Sequence, residues 1–224
     1  MVKTEGLTKN YTRQGKTFQA VDHVDLQVEK GEVLVLTGPS GCGKSTLFHL
    51  ISGIIQPDEG QVYFDGQKIS SLSAAKRTAL RRQHISYILQ GDSLLYNFTV
   101  LENICLPHLL SGWKDKKELE TRGMSLLEEF RMADLAGNYP AELSGGERRR
   151  AAIIRAFVHG PQLVVADEPT SDLDEENTGI ILDYFMRQKE KVILISTHDL
   201  SCLRTGVSHY AMAKGRIEKK GIID

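Results

Sequence analysis

The chain predicts an α/β fold with a parallel-sheet core, an N-terminal antiparallel β subdomain and an inserted helical subdomain. Three observations carry this. Four short apolar runs, at 33–37, 85–89, 163–166 and 192–196, are flanked by turn or helix signals, as buried parallel strands are. The first third instead alternates apolar and polar residues between glycines, the mark of antiparallel strands and hairpins. Between the second and third runs, residues 99 to about 158 read mainly as helix.

The elements follow in order. Residues 7–11, 18–28 and 61–64 are the expected antiparallel strands, turning around Gly15, Gly60 and Asp65-Gly66. Helices at 46–52, 76–83 and 178–189 alternate with the apolar runs and cover the sheet. In the helical stretch, Leu119, Met124, Leu126, Leu127 and Phe130 cover one face, and Pro107, Gly112, Gly137 and Pro140 punctuate it. Because it sits between two sheet strands, it reads as a lobe, 91–160, inserted into a core of 1–90 and 161–224 within one domain, 1–224.

With 224 residues and 41% hydrophobic content, a normal core can form. Twenty-eight basic and 29 acidic residues leave a formal charge of −1, so no global attraction to nucleic acid or anionic membrane is built in, and no nucleic-acid partner is expected. Cys42, Cys105 and Cys202 are odd in number, far apart and without metal-ligand spacing, which predicts reduced thiols in a cytosolic compartment, no disulfide and no zinc. The N-terminus resembles no secretory signal and the longest apolar stretches are about five residues, so a soluble chain is expected, able to dock on a membrane protein through its surface.

Gly38-Pro39-Ser40-Gly41-Cys42-Gly43-Lys44-Ser45-Thr46, directly after the first apolar run, fits the G-x-x-x-x-G-K-[ST] phosphate loop at every specified position. Its glycines let backbone N–H groups turn toward phosphate oxygens, Lys44 would reach the β/γ-phosphates and the Ser45 hydroxyl would ligate Mg²⁺. A merely structural turn needs neither Lys44 nor the following hydroxyl. Asp167-Glu168 stands just beyond the run 163–166, at the carboxyl edge where open α/β sheets bind ligands. Asp167 would hold Mg²⁺ through a water, and Glu168 would orient or deprotonate the water that attacks the γ-phosphate. Taken alone, the pair is a solvated acidic turn before Pro169. Ser144-Gly145-Gly146-Glu147 opens a helix-like run rich in arginine and offers a second anion site; locally it reads equally as a capping motif, and the arginines as a solvated face.

The phosphate loop, Gln90, 143–147, Asp167-Glu168, Ser171-Asp172-Leu173-Asp174 and His198 occur in an order that resembles the ATP-binding-cassette ATPases over nearly the whole chain. Residues 81–90 with Leu94-Leu95, Phe98-Thr99 and Glu102-Asn103-Ile104 further resemble the LolD/MacB/FtsE/BceA group. The resemblance implies a P-loop NTPase (RecA-like) core that binds ATP and Mg²⁺. It implies a head-to-tail dimer in which Ser144, Gly145 and Gly146 of one copy cover ATP held by the other's phosphate loop. It also implies separately encoded transmembrane permease subunits at the cytoplasmic face of the inner membrane. Gln90 would contact Mg²⁺ or water and sense the membrane partner, His198 would contact the γ-phosphate, Asp174 would belong to the loop between the two sites, and Tyr11, with Phe18 as second candidate, would stack on adenine. Each has a plainer reading: a satisfied strand end, a passive residue after a strand, a helix cap, a half-buried strand tyrosine. Glu147 stands where the family more often has glutamine, and Asp172 adds a charge that the loop between sites often lacks.

The expected function is ATP hydrolysis powering a transporter, an exporter of lipoprotein, peptide or drug type. Two other classes stay open: a soluble ATPase of assembly or nucleic-acid processing, and a regulatory ATPase of a membrane complex that moves no substrate. The apolar Leu94, Leu95, Tyr96 and Phe98 either receive the membrane subunit or pack within their own lobe.

Overall fold

In the computed structural model, which describes residues 1–200 and 203–223, the chain opens with a hairpin. Strands β1 (Val2–Arg13) and β2 (Lys16–Val28) pair antiparallel across Gln14-Gly15, whose φ of 51° and 74° suit a tight two-residue turn. Both strands outrun their apolar alternation, because backbone pairing continues to the exposed Arg13–Lys16 tip after the last buried side chain. Next come β3 (Val33–Thr37), α1 (Lys44–Ile51), β4 (Glu59–Phe64) and the short β5 (Gln67–Lys68). The antiparallel sheet has the order β2-β1-β4-β5. Asp65-Gly66 is the expected turn. Gly60 instead lies inside β4, where a Cβ would come within 2.3 Å of the Gly6 carbonyl oxygen, so it permits a close strand approach rather than a reversal.

The chain continues through α2 (Ala74–His84), β6 (Ile85–Ile88), α3 (Val100–Leu110), α4 (Lys116–Glu129), α5 (Gly145–Phe157), β7 (Leu163–Asp167), α6 (Glu175–Met186) and β8 (Val192–Thr197). Helices α3 and α6 depart from expectation. Helix α3 passes through Pro107, an exposed position whose missing N–H removes one backbone hydrogen bond without ending the helix. Helix α6 starts at the cap Asp174 and ends at Met186 rather than at 189. Two further strands, β9 (Ser208–Ala213) and β10 (Arg216–Ile222), lie where no apolar run exists. In β9 only Ser208, Tyr210 and Met212 are buried, so its strand character is an alternation too short and too polar to stand out.

The main sheet has the order β10-β9-β3-β8-β7-β6, with every neighbour parallel except β9 and β10. Its central strands are buried on both faces, which is why they read as unbroken apolar runs. Alternate residues serve two cores. Val35, Val164, Ala166, Ile193 and Ile195 face the helical side with Ile104, Phe130, Ile153 and Phe185. Leu36, Leu163, Val165 and Leu194 face α1 and the antiparallel sheet, with Leu47, Phe48, Val21 and Phe64. Burying a side chain such as Phe48 contributes roughly 1.5–3 kcal/mol.

Candidate functional site

Register assembles the site. Thr37 of β3 pairs with Thr197 of β8, Ser196 of β8 with Asp167 of β7, and Ala166 of β7 with Ile88 of β6. The parallel sheet therefore ends level, and the segments beyond it fall side by side: the loop 38–43, His198, Asp167-Glu168 and Gln90. They line one open cleft of about 450 Å³, whose wall includes Tyr11, Phe18, Ser40, Gly41, Gly43, Lys44, Ser45, Thr46, Gln90, Asp167, Glu168 and His198.

The loop's glycines are required by packing. A Cβ on Gly43 would lie 2.0 Å from the Ala20 carbonyl oxygen, and one on Gly38 would lie 2.3 Å from that of Met212. Gly43 caps α1 with φ 118° and brings no side chain to its N-terminus, so the first N–H groups and the positive end of the helix dipole are open to an anion. Pro39 turns the loop and the Cys42 thiol is buried behind it. Helix α1 starts two residues before the expected 46, because Lys44 and Ser45 already have helical geometry. Lys44 is 7% exposed; its ammonium donates to Gly38 O at 2.6 Å and Pro39 O at 3.4 Å and stands 3.8 Å from Glu168 Oε1.

Both acidic side chains are held from behind. The buried Ser196 hydroxyl donates to Asp167 Oδ1 at 2.5 Å, and the Tyr87 hydroxyl donates to Oδ2 at 3.3 Å. Burial first, and the adjacent Asp167 carboxylate second, push the Tyr87 phenol well above its usual range, so it remains a donor. Glu168 adopts φ 49°, a left-handed conformation for a non-glycine residue, with its N–H on Ser196 O at 3.1 Å and its Oε2 3.0 Å from His198 Nδ1. Tyr11 and Phe18 pair across β1 and β2 with ring centroids 6.1 Å apart, and both are substantially exposed beside the cleft.

Ser144, Gly145 and Gly146 are not among the residues lining this cleft. They start α5, where Ser144 Oγ accepts from Glu147 N and Glu147 Oε2 accepts from Ser144 N at 2.7 Å, a reciprocal capping box. These hydrogen bonds hold the Glu147 carboxyl below its ordinary range. Ser144 and Gly145 remain exposed. Asp174 caps α6 through Asn177 N at 2.7 Å, and Asp172 stands just before it at φ 61°.

The arginines that follow Glu147 form no uniformly solvated face. Arg148 pairs with Asp92 at 3.0 Å, Arg150 bonds Asn177, and Arg149 is 4% exposed with its guanidinium on backbone carbonyls. Burial lowers Arg149 to about 10, which leaves it charged at neutral pH. A buried carbonyl left without its donor costs about 1–3 kcal/mol, so this side chain is integral to the site's frame. Nothing in a helical run of arginines distinguishes the one turned inward. Ser196 and Tyr87 are equally silent in sequence, visible only as polar residues in apolar strands.

Comparison with known proteins places the chain in a family. A model of the ABC transporter family matches residues 21–171. This chain belongs to the ABC transporter family. It is 36% identical over 207 residues to the lipoprotein-releasing system ATP-binding protein LolD of Buchnera aphidicola subsp. Acyrthosiphon pisum (strain APS), covering 91% of this chain and 90% of the relative. It is 38% identical over 214 residues to the protein of that name from the Schizaphis graminum subspecies (strain Sg), covering 94% and 93%. The ATP-binding cassette MJ0796, solved as a dimer in a post-hydrolysis state bound to ADP and Pi, superposes with a TM-score of 0.91 at 30% identity over the whole of both chains. A nucleotide-free cassette from an ABC transporter gives 0.84 at 28% identity, covering 99% of this chain and 91% of that one. The family member described here is an ATP-binding-cassette ATPase with the family's α/β architecture. No helix among its described residues is long and apolar enough to cross a membrane.

Proposed function

We propose that two copies of this chain bind ATP between them head to tail, and that their closing on ATP and opening after hydrolysis drive a separate transmembrane permease subunit. The reading rests on one observation: Lys44, Ser45, Gln90, Asp167, Glu168 and His198, drawn from four separate segments, converge on one cleft with Tyr11 and Phe18. A structural turn or a passive strand end explains any one of them and not the set.

In this mechanism the N–H groups of 40–46 at the loop and the start of α1 cradle the phosphates while Lys44 meets the β/γ oxygens. The oxygen donors Ser45, Gln90 and Asp167 form a hard set that suits Mg²⁺, an ion that keeps several waters and needs few protein ligands. When bound, the ion would supply positive charge against the phosphates. Glu168, held between Lys44 and His198, orients the attacking water and takes its proton, and His198 contacts the γ-phosphate. Tyr11 stacks on adenine. Ser144, Gly145 and Gly146 at the start of α5, the first two exposed, cover the nucleotide of the second copy, and loss of the γ-phosphate loosens that contact. The loop through Asp172 and Asp174 links the two sites, with the Asp172 charge working against closure.

Leu95 and Tyr96, 48% and 55% exposed, form the surface offered to the permease, whereas Leu94 is 6% exposed and packs into the helical core. The names of the LolD relatives favour a lipoprotein as cargo. The permease partner proposed above would hold the chain at the inner membrane. The decisive experiment is Glu168→Gln. Turnover should fall by at least about 100-fold while ATP stays bound and gel filtration shows a dimer that persists with ATP. A rapidly hydrolysing or strictly monomeric variant overturns the reading.

A further inference from the structure

We propose that Arg149 is a positioning residue for hydrolysis, one that makes the loop carrying Gln90, the turn carrying Glu168 and the exposed start of α5 move as one body. The inference deepens the ATPase reading above and rests on it.

The guanidinium spends all three nitrogens on backbone oxygens. Nε donates to Pro169 O at 2.8 Å, Nη1 to Leu89 O at 2.5 Å and to Gly91 O, and Nη2 to Glu168 O at 2.9 Å with Asp167 O at 3.5 Å. These acceptors have a pattern. Leu89 and Gly91 bracket Gln90, and Asp167, Glu168 and Pro169 bracket the residue proposed to handle the attacking water. Among the described residues Arg149 bonds backbone carbonyls and no side-chain carboxylate, so its charge is met by carbonyl dipoles whose directions fix the backbone that bears them.

Only a planar fork with five N–H groups can serve acceptors on two strand ends at once; a lysine ammonium has three donors and no fixed plane. The left-handed backbone of Glu168 needs such outside support, and its carbonyl is one of the oxygens bound. Neighbouring arginines strengthen one half of this arrangement. Arg148 holds Asp92, and Arg155 donates to Ser93 O at 3.0 Å and Ser93 Oγ at 2.7 Å, so α5 grips residues 92–93 from two turns. Arg149 reaches across to the β7 end as well.

Arg149 follows Ser144 by five residues, about 7.5 Å along a helix of 1.5 Å rise per residue. A helix is stiff over so short a span. A shift at Ser144–Gly146, imposed by the second copy's nucleotide, therefore reaches the carbonyls beside Gln90 and Glu168 through one side chain. Hydrolysis in one site becomes conditional on the contact that the same chain makes with the other.

The test uses wild type, Arg149→Gln and Arg149→Lys, with turnover expressed per bound fluorescent ATP analogue so that misfolded molecules drop out. Nucleotide affinity is expected to stay within about threefold of wild type while kcat falls at least about tenfold in R149Q and less in R149K, because sub-ångström misplacement acts on kcat. The Hill coefficient for ATP should fall toward 1 in R149Q. An R149Q kcat within about twofold of wild type at unchanged affinity overturns the proposal. Loss of nucleotide binding in both variants also overturns it, making Arg149 a general support of the fold. Wild type that hydrolyses no faster than Lys44→Ala removes the ATPase reading and this inference together, whereas an active wild type with an unaffected R149Q removes this inference alone.

Discussion

Two helix starts in this molecule have similar chemistry and opposite surroundings. Helix α1 begins after Gly41 and Gly43, its neighbouring Lys44 is 7% exposed, and its open end faces carboxylates, a histidine and two aromatic rings. Helix α5 begins at Ser144 with Gly145 and Gly146, yet Ser144 and Gly145 are exposed and none of the three lines that cleft. Each is an N-terminus suited to an anion, but only the first is surrounded by groups that act on one. A glycine-rich helix start therefore specifies affinity for charge, and the company it keeps specifies chemistry. The lone start of α5 makes sense in the proposed dimer, where the missing company belongs to the other copy.

The sharpest way to break this comparison is Gly145→Arg. A Cβ there meets nothing closer than 4.0 Å, from the end of Arg148, so the fold and single-copy ATP binding should survive while turnover falls by at least about 100-fold and the ATP-dependent dimer disappears on gel filtration. Unchanged turnover would leave the start of α5 with its capping role alone. Smaller effects are expected at the opposite wall of the cleft. Tyr11→Ala should raise KM for ATP about tenfold with kcat nearly unchanged, since a base stacked on an aromatic ring contributes roughly 1–3 kcal/mol. Phe18→Ala, which removes the ring against Tyr11, should raise KM by only about threefold in steady-state assays.

The smallest effect concerns stability just beyond the far end of α5. His159 stacks on His108 at 4.4 Å, and burial, aided by the neighbouring histidines, pushes it down to about 3. With a folded value below the unfolded one, the unfolded chain binds a proton that the folded chain refuses. The stability from neutral His159 is complete above about pH 6.5 and is lost as pH falls toward 3. Denaturant titration should show a loss of about 1–2 kcal/mol between pH 7 and 5 from this group, absent in His159→Phe.

The two helix starts also differ in how far they were legible. In the loop 38–46 the tasks of the glycines, Lys44 and Ser45 are legible in the sequence, because a phosphate cradle is local: neighbouring residues do the work, and spacing encodes it. Asp167-Glu168 was legible for a related reason, as polar residues at the end of an apolar strand. Ser144–Gly146 stayed divided between cap and anion site, and the structure displays the cap while leaving the helix end accessible. Strands β9 and β10 were illegible because pairing with β3 supplies the hydrogen bonds that Ser208–Ala213 does not advertise in apolar content. Leu94 and Leu95, adjacent and alike in sequence, part company in space, one in the core and one in water.

By itself the sequence determined the strand and helix alphabet, the phosphate loop and the acidic pair, since these depend on hydrophobic period and on residues adjacent in the chain. Tertiary structure decided which distant groups share a cleft, that Ser196 and Tyr87 hold Asp167, and that one arginine of three in a row turns inward to bind carbonyls on two strand ends. The reason is physical. Local preference acts over a few residues, whereas burial and hydrogen-bond satisfaction are settled between segments that meet only when parallel strands come into register.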